Sequence, residues 1–156
     1  MIDEAAGSKR SAAIYLLKDR VLLHPWQKTT DGLGIASEPY IVAPKDADNL
    51  HLGEILLRVL SASGQTVPHP KEWTGLSKPR LHAAGVKSES AFHSGALNTS
   101  VTWQGDTLSF IPTSNGGGSG PNRGFYPLPE SSSSVAAGAG AEEIGAALRF
   151  SLNCCR

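Results

Sequence analysis

Leu81–Thr113, LHAAGVKSESAFHSGALNTSVTWQGDTLSFIPT, is the stretch whose reading decides the fold. It opens as a short helical segment and closes as a hairpin. Val101 and Trp103 on one arm face Leu108, Phe110 and Ile111 on the other. Thr102 and Ser109 mark the alternate face, which is the period of two expected of half-buried strands. Gln104-Gly105-Asp106 supplies the turn, because Gly105 is free to take positive φ.

Upstream, SAAIYLLKDRVLLHP holds two β-prone runs, Ala12–Leu17 and Val21–His24, around Lys18-Asp19-Arg20. A hairpin is expected there, with one longer strand or a short helix as the alternative, since alanine and leucine dilute the β signal. His24-Pro25-Trp26 is expected to break regular structure, and the polar residues 1–10 to fray. Asp31-Gly32 carries turn chemistry. A short strand, Tyr40–Val42, lies between Pro39 and Pro44, which suits a place near a sheet edge. Asp46 or Asp48 then caps a helix in which Leu52, Ile55, Leu56, Val59 and Leu60 recur at helical spacing until Gly64. Gln65–Arg80 holds Pro68, Pro70 and Pro79 around Trp73 and reads as an ordered surface loop.

Downstream, residues 114–123 and 130–140 are expected as flexible loops, rich in glycine and serine. Gly124–Leu128 between them reads as a brief extended segment. Glu142 and Glu143 suit the positive end of a last helix carrying Ile144, Leu148 and Leu152 on one face, with Arg149 toward its far end. This helix and the earlier one each hold a glycine, Gly53 and Gly145, that costs about 1 kcal/mol relative to alanine. A close approach to the sheet or to the other helix is the physical reason to keep them. Together these elements predict a single α+β domain: a mainly antiparallel sheet with two principal helices packed on it.

Composition excludes several chemistries. The chain has 156 residues, with 14 basic against 14 acidic. That length buries a core without staples, and the balance argues against general affinity for nucleic acid or anionic lipid. No h-region of a signal peptide and no membrane-spanning apolar run is read, so a cytoplasmic protein is expected. Adjacent Cys154 and Cys155 make a poor disulfide framework and are read as reduced thiols. NGGGSGPNRG lacks the lysine and hydroxyl of a phosphate loop. The five histidines do not fall at zinc spacing, and no Gly-x-Ser-x-Gly elbow is present, so neither metal nor cofactor is expected. His82, Lys87 and His93 are near enough in sequence to suggest a small metal-independent ribonuclease, the one enzymatic alternative.

A set of landmarks carries a resemblance. They are Asp31-Gly32-Leu33-Gly34 with Glu38-Pro39, the helix start Leu52-Gly53, and Ala84-Gly85-Val86-Lys87-Ser88 before Phe92. Gly124-Phe125 after a glycine-rich loop and Ile144-Gly145-Ala146-Ala147-Leu148 complete it. In this order they resemble the proteobacterial contact-dependent growth inhibition (CDI) immunity proteins, from about Tyr15 to Leu152. Ser131–Ser134 and Asn153–Arg156 have no counterpart. The resemblance implies a cytoplasmic, non-enzymatic inhibitor that forms a heterodimer with the toxic C-terminal domain of one cognate effector, commonly a nuclease. No nucleic acid or membrane partner is implied. A nuclease site is electropositive, so acidic loop residues Asp31, Glu38, Glu72 and Asp106 are the candidate contacts, with Trp73 and Tyr126 as aromatic anchors. A free strand edge could also take a toxin strand by β-augmentation.

Overall fold

The computed structural model describes residues 9–156. Nine strands among these residues form one curled, mainly antiparallel sheet. β1 (Lys9–Leu16) and β2 (Arg20–Thr29) make the first hairpin, with Ile14 opposite Leu23. The Leu81–Thr113 stretch makes the second: β6 (Leu97–Gln104) pairs with β7 (Thr107–Asn115), and Val101 opposes Phe110 while Trp103 opposes Leu108. Gly105 turns between them at φ +63°. β1 zips the hairpins together by pairing along its whole length with β6. β3 (Gly34–Ala36) and β4 (Ile41–Pro44) line the outer side of β2, and β5 (Thr66–Val67) joins it in parallel. β8 (Phe125–Pro127) and β9 (Ser133–Ala136) both pair with β7.

The period of two sorts the strands into two faces. Ala12, Ile14, Val21, Leu23, Val101, Leu108 and Phe110 fill the first face, under α1 (Asn49–Ala62) and α4 (Ala141–Asn153). α1 begins where Asp48 accepts the amide of His51 at 2.9 Å and lays Leu52, Ile55, Leu56, Val59 and Leu60 on the sheet. Its last carbonyls are satisfied from β1 and β2: Arg10 donates to Ser61 at 2.7 Å and Gln27 to Ala62 at 2.6 Å. Ala13, Tyr15 and Leu22 fill the second face, under α2 (Lys78–Ala84) and α3 (Glu89–His93).

Four expectations change. β2 does not stop at His24-Pro25-Trp26 but runs to Thr29. Pro25 is the last residue of β2 opposite β1, and from Trp26 the strand pairs with β3 and β5 instead, so the missing proline donor falls where the ladder changes partner. The Gln65–Arg80 segment contains β5 and ends inside α2, where Pro79 occupies the first turn and its absent N–H costs no helical bond. Residues 130–140, expected as a flexible loop, hold a 3-10 turn at Pro129–Ser131 and then β9. Ser133–Ala136 pair with Thr107–Phe110, because β7 offers a free ladder there. Ile111 lies opposite Ser100 on the second face, one residue out of phase with Phe110. The fraying expected of residues 1–10 falls outside the described residues up to position 8, and Lys9 and Arg10 open β1.

The two helical glycines meet the other helix, not the sheet. A Cβ on Gly53 would lie 1.8 Å from the carbonyl oxygen of Ala141, and one on Gly145 would lie 1.7 Å from that of Asn49. The fifth residue of each helix thus touches the first residue of its partner. Gly53→Ala, which stabilises a free helix by about 1 kcal/mol, is therefore expected to destabilise this protein by about 1–3 kcal/mol through overpacking. Urea unfolding of Gly53→Ala and Gly145→Ala checks the sign.

Candidate functional site

With the first face sealed by two long helices, the open chemistry lies on the second. α2 and α3 are short and cover it incompletely. They leave a cleft of about 480 Å³ floored by β1, β2 and β6 and walled by Tyr40, Trp73, Arg80 and Phe125. Alternation along β2 sends Leu22, His24 and Trp26 to this side, and alternation along β6 sends Asn98 and Ser100. The aromatic rings form a connected set. Tyr15 meets Phe92 edge-on at 4.8 Å, His24 meets Trp26 at 5.1 Å and Tyr40 at 5.3 Å, and His93 meets Phe125 at 5.1 Å.

The polar groups around the cleft are mostly committed. Arg80 donates to both carboxylate oxygens of Glu89 and lies 4.4 Å over the Phe92 ring. Asn98 donates to the Ile14 carbonyl at 3.1 Å, and the Thr113 hydroxyl donates to the Asn98 carbonyl at 2.7 Å. His24 is the exception. Its side chain is fully buried, and Nδ1 lies 3.0 Å from the Pro25 carbonyl oxygen. That contact fixes the proton on Nδ1 and leaves Nε2 a bare acceptor without a partner. Burial, and then the Arg80 charge, lower the imidazole from its ordinary value near 6.5 to about 4, against the opposing pull of the Pro25 carbonyl. Burial also raises the Tyr15 and Tyr40 phenols, with Arg80 opposing both shifts.

The lip of the cleft gathers several of the expected contact residues. His69 ties them together: Nδ1 lies 2.9 Å from Thr29 Oγ1 and 3.6 Å from Asp31 Oδ2, and its ring meets Trp73 edge-on at 5.4 Å. Trp73 is 48% exposed, beside exposed Glu72 and Leu76, and Leu33 is exposed next to Asp31 and Gly32. Glu38 is exposed two residues before Tyr40. Asp106 sits apart at the β6–β7 turn, where its carbonyl accepts the Ala137 amide at 2.7 Å. Tyr126 also sits apart: on β8 it is exposed and donates to the Arg123 carbonyl at 2.9 Å, while its neighbour Phe125 is the one that lines the cleft.

Sequence reading missed His24, Tyr40, Arg80 and Phe125. The Leu22-His24-Trp26 alternation was the available signal, masked by Pro25. The histidine–lysine set is not assembled. His93 lines the cleft and bonds the Glu89 carbonyl at 2.9 Å, whereas His82 and Lys87 are exposed on α2 and the following turn, outside it. A larger hollow of about 580 Å³ beside the β1–β2 turn offers less, because Arg20 there is spent on Asp19 and the Ala83 carbonyl. Burial raises the Cys155 thiol, whose Sγ donates to the Asn98 carbonyl at 3.1 Å, so it is not an activated nucleophile. Among the described residues no cluster of three His, Cys, Asp or Glu is placed to hold a metal ion, and no helix is long and apolar enough to cross a membrane.

A neutral buried histidine makes stability depend on pH with a definite sign. The unfolded chain binds a proton near pH 6.5 and the folded chain only near 4, so the contribution is present above 6.5 and lost as pH falls toward 4. The wild type is expected to lose about 3 kcal/mol more than His24→Gln between pH 7 and pH 4, read from denaturant midpoints at each pH.

Comparison with known proteins completes the picture. The model of the CdiI family, described as CDI immunity protein, matches residues 10–155. Two solved structures share the fold. A protein of unknown function from Neisseria meningitidis superposes with a TM-score of 0.75 at 17% identity, covering 100% of both chains. A CdiA-CT/CdiI toxin and immunity complex from Yersinia pseudotuberculosis gives 0.73 at 15% identity, covering 95% of this chain and 98% of that one. Comparison with curated protein sequences gives no match.

Proposed function

Because this chain belongs to the CDI immunity protein family, we propose that it binds and neutralises the toxic C-terminal domain of a cognate contact-dependent growth inhibition effector. The family match across residues 10–155 is the observation that carries this reading. The surface is consistent with a binding role. Exposed Trp73, Leu33 and Leu76 beside a half-covered sheet face are the kind of apolar, aromatic-anchored patch on which protein partners dock.

The finer reading is that the toxin is a nuclease and the protein acts in the cytoplasm as one half of a heterodimer. Exposed acidic Asp31, Glu38 and Glu72 suit an electropositive partner, since complementary charge accelerates encounter and suppresses wrong pairings. Asp106 and Tyr126, which sit apart from the cleft, are the remaining proposed contacts. No catalytic group is needed, because occlusion or distortion of the toxin suffices.

Co-expression with the C-terminal domain of the effector encoded directly upstream is expected to rescue growth and to yield a one-to-one complex by size-exclusion chromatography. Trp73→Ala is expected to weaken that complex by about 2 kcal/mol or more in calorimetry. Asp31→Asn with Glu72→Gln is expected to slow association mainly, with the difference vanishing at high salt. Growth arrest despite co-expression, with no complex, overturns the reading.

A further inference from the structure

We infer that the aromatic cleft on the second sheet face receives an uncharged, hydrogen-bond-donating aromatic side chain, a tyrosine or tryptophan of the toxin domain, whose O–H or N–H is accepted by His24 Nε2. This rests on the immunity reading and adds to it the place and chemistry of the central contact.

Three observations converge on that occupant. First, Nε2 is a fully buried acceptor with no partner, on a side chain that lines the cleft. A buried acceptor left unmade is costly, so whatever enters the cleft and donates to it recovers that cost on binding. Second, the surroundings exclude a charged guest. Arg80 is already held by Glu89 and Phe92, so no free cation awaits an anion; its charge also repels a cationic guest, and among the described residues no carboxylate lines the cleft to offset that repulsion. The rings of the lining already pack on one another edge-on or tilted, with centroids 5.1 Å apart for His24 and Trp26 and 5.3 Å for His24 and Tyr40, and a further ring extends that set by the same geometry. Third, the cleft is continuous with the exposed Trp73 and Leu76 at its lip, which makes it the centre of a larger protein-sized contact rather than an isolated small-molecule pocket. Tyr40, half-exposed on the segment before β4, packs against the His24 ring at 5.3 Å between centroids, and in this proposal it is the side chain displaced by the guest.

The test uses the C-terminal domain of the effector encoded directly upstream and two changes in this chain. Gly34 lies on the cleft wall with open space where a Cβ would stand and no positive φ, so Gly34→Trp adds bulk at the opening without backbone strain. His24→Phe keeps a ring and removes the acceptor. Phe150→Ser, on the exposed side of α4, is the control. Calorimetry is expected to show binding weakened about 100-fold by Gly34→Trp and about tenfold by His24→Phe, with Phe150→Ser equal to wild type. In the wild type, the 15N resonance of His24 Nε2 is expected to move upfield when the toxin domain is added, as an accepted hydrogen bond requires. Gly34→Trp binding within twofold of wild type, or an Nε2 resonance unmoved in the saturated complex, overturns the cleft assignment and leaves the immunity reading standing. A wild-type chain that neither binds nor protects overturns both.

Discussion

The crossing of α1 and α4 sets the shape of this molecule. Where the two helices pass, Gly53 lies against the Ala141 carbonyl and Gly145 against the Asn49 carbonyl, at distances that leave no room for a methyl group. Backbone touching backbone lets two helices share one sheet face without a layer of side chains between them. Their apolar stripes, Leu52 to Leu60 and Ile144 to Leu152, then both reach the strands. The intrinsic helix cost of two glycines is offset by closer packing over a continuous core. Arg149 reinforces the arrangement by donating to the Lys45 and Ala47 carbonyls, which ties α4 to the approach of α1.

With both long helices on one side, the other side of the sheet has only α2 and α3 to cover it. Those helices are held at their ends by side chains from elsewhere: Arg20 donates to the Ala83 carbonyl, and Asn115 donates to the carbonyls of His93 and Ala96. What they leave open is floored by β2 at the point where that strand changes partner. Pro25 marks this point, and its carbonyl holds the proton of His24 on Nδ1. The residue at which the ladder changes partner therefore also sets, through its main-chain carbonyl, the tautomer of the buried histidine. A structural irregularity and an unpartnered buried acceptor arise from one dipeptide.

Several elements were legible in the residues for plain physical reasons. The β6–β7 hairpin follows from strict alternation around a glycine turn, and its register matches the apolar pairing of Val101 with Phe110 and Trp103 with Leu108. α1 follows from a capping aspartate and an unbroken stripe. Less legible was whatever depends on a partner strand. Ser133–Ala136 has little β propensity of its own and becomes a strand because β7 presents a free ladder beside it. Pro25 argues locally for a break, yet β2 continues because β3 and β5 supply new hydrogen bonds.

The candidate site divides along the same line. Exposed acidic and aromatic loop residues are visible in sequence because turn chemistry predicts exposure, which is how Asp31, Glu38, Glu72 and Trp73 came into view. The meeting of Asp31 and Trp73 beside one cleft, through the contacts of His69 with Thr29, Asp31 and Trp73, joins segments 40 residues apart in the chain, as in the His69–Thr29 contact, and has no local signature. Alternation, capping and apolar spacing are short-range constraints, so the sequence by itself determined the fold class, the main hairpins and the two packed helices. Which side of the sheet stays open, and which histidine keeps an unpaired nitrogen there, is set by long-range packing, because burial and hydrogen-bond satisfaction exist only once distant segments meet.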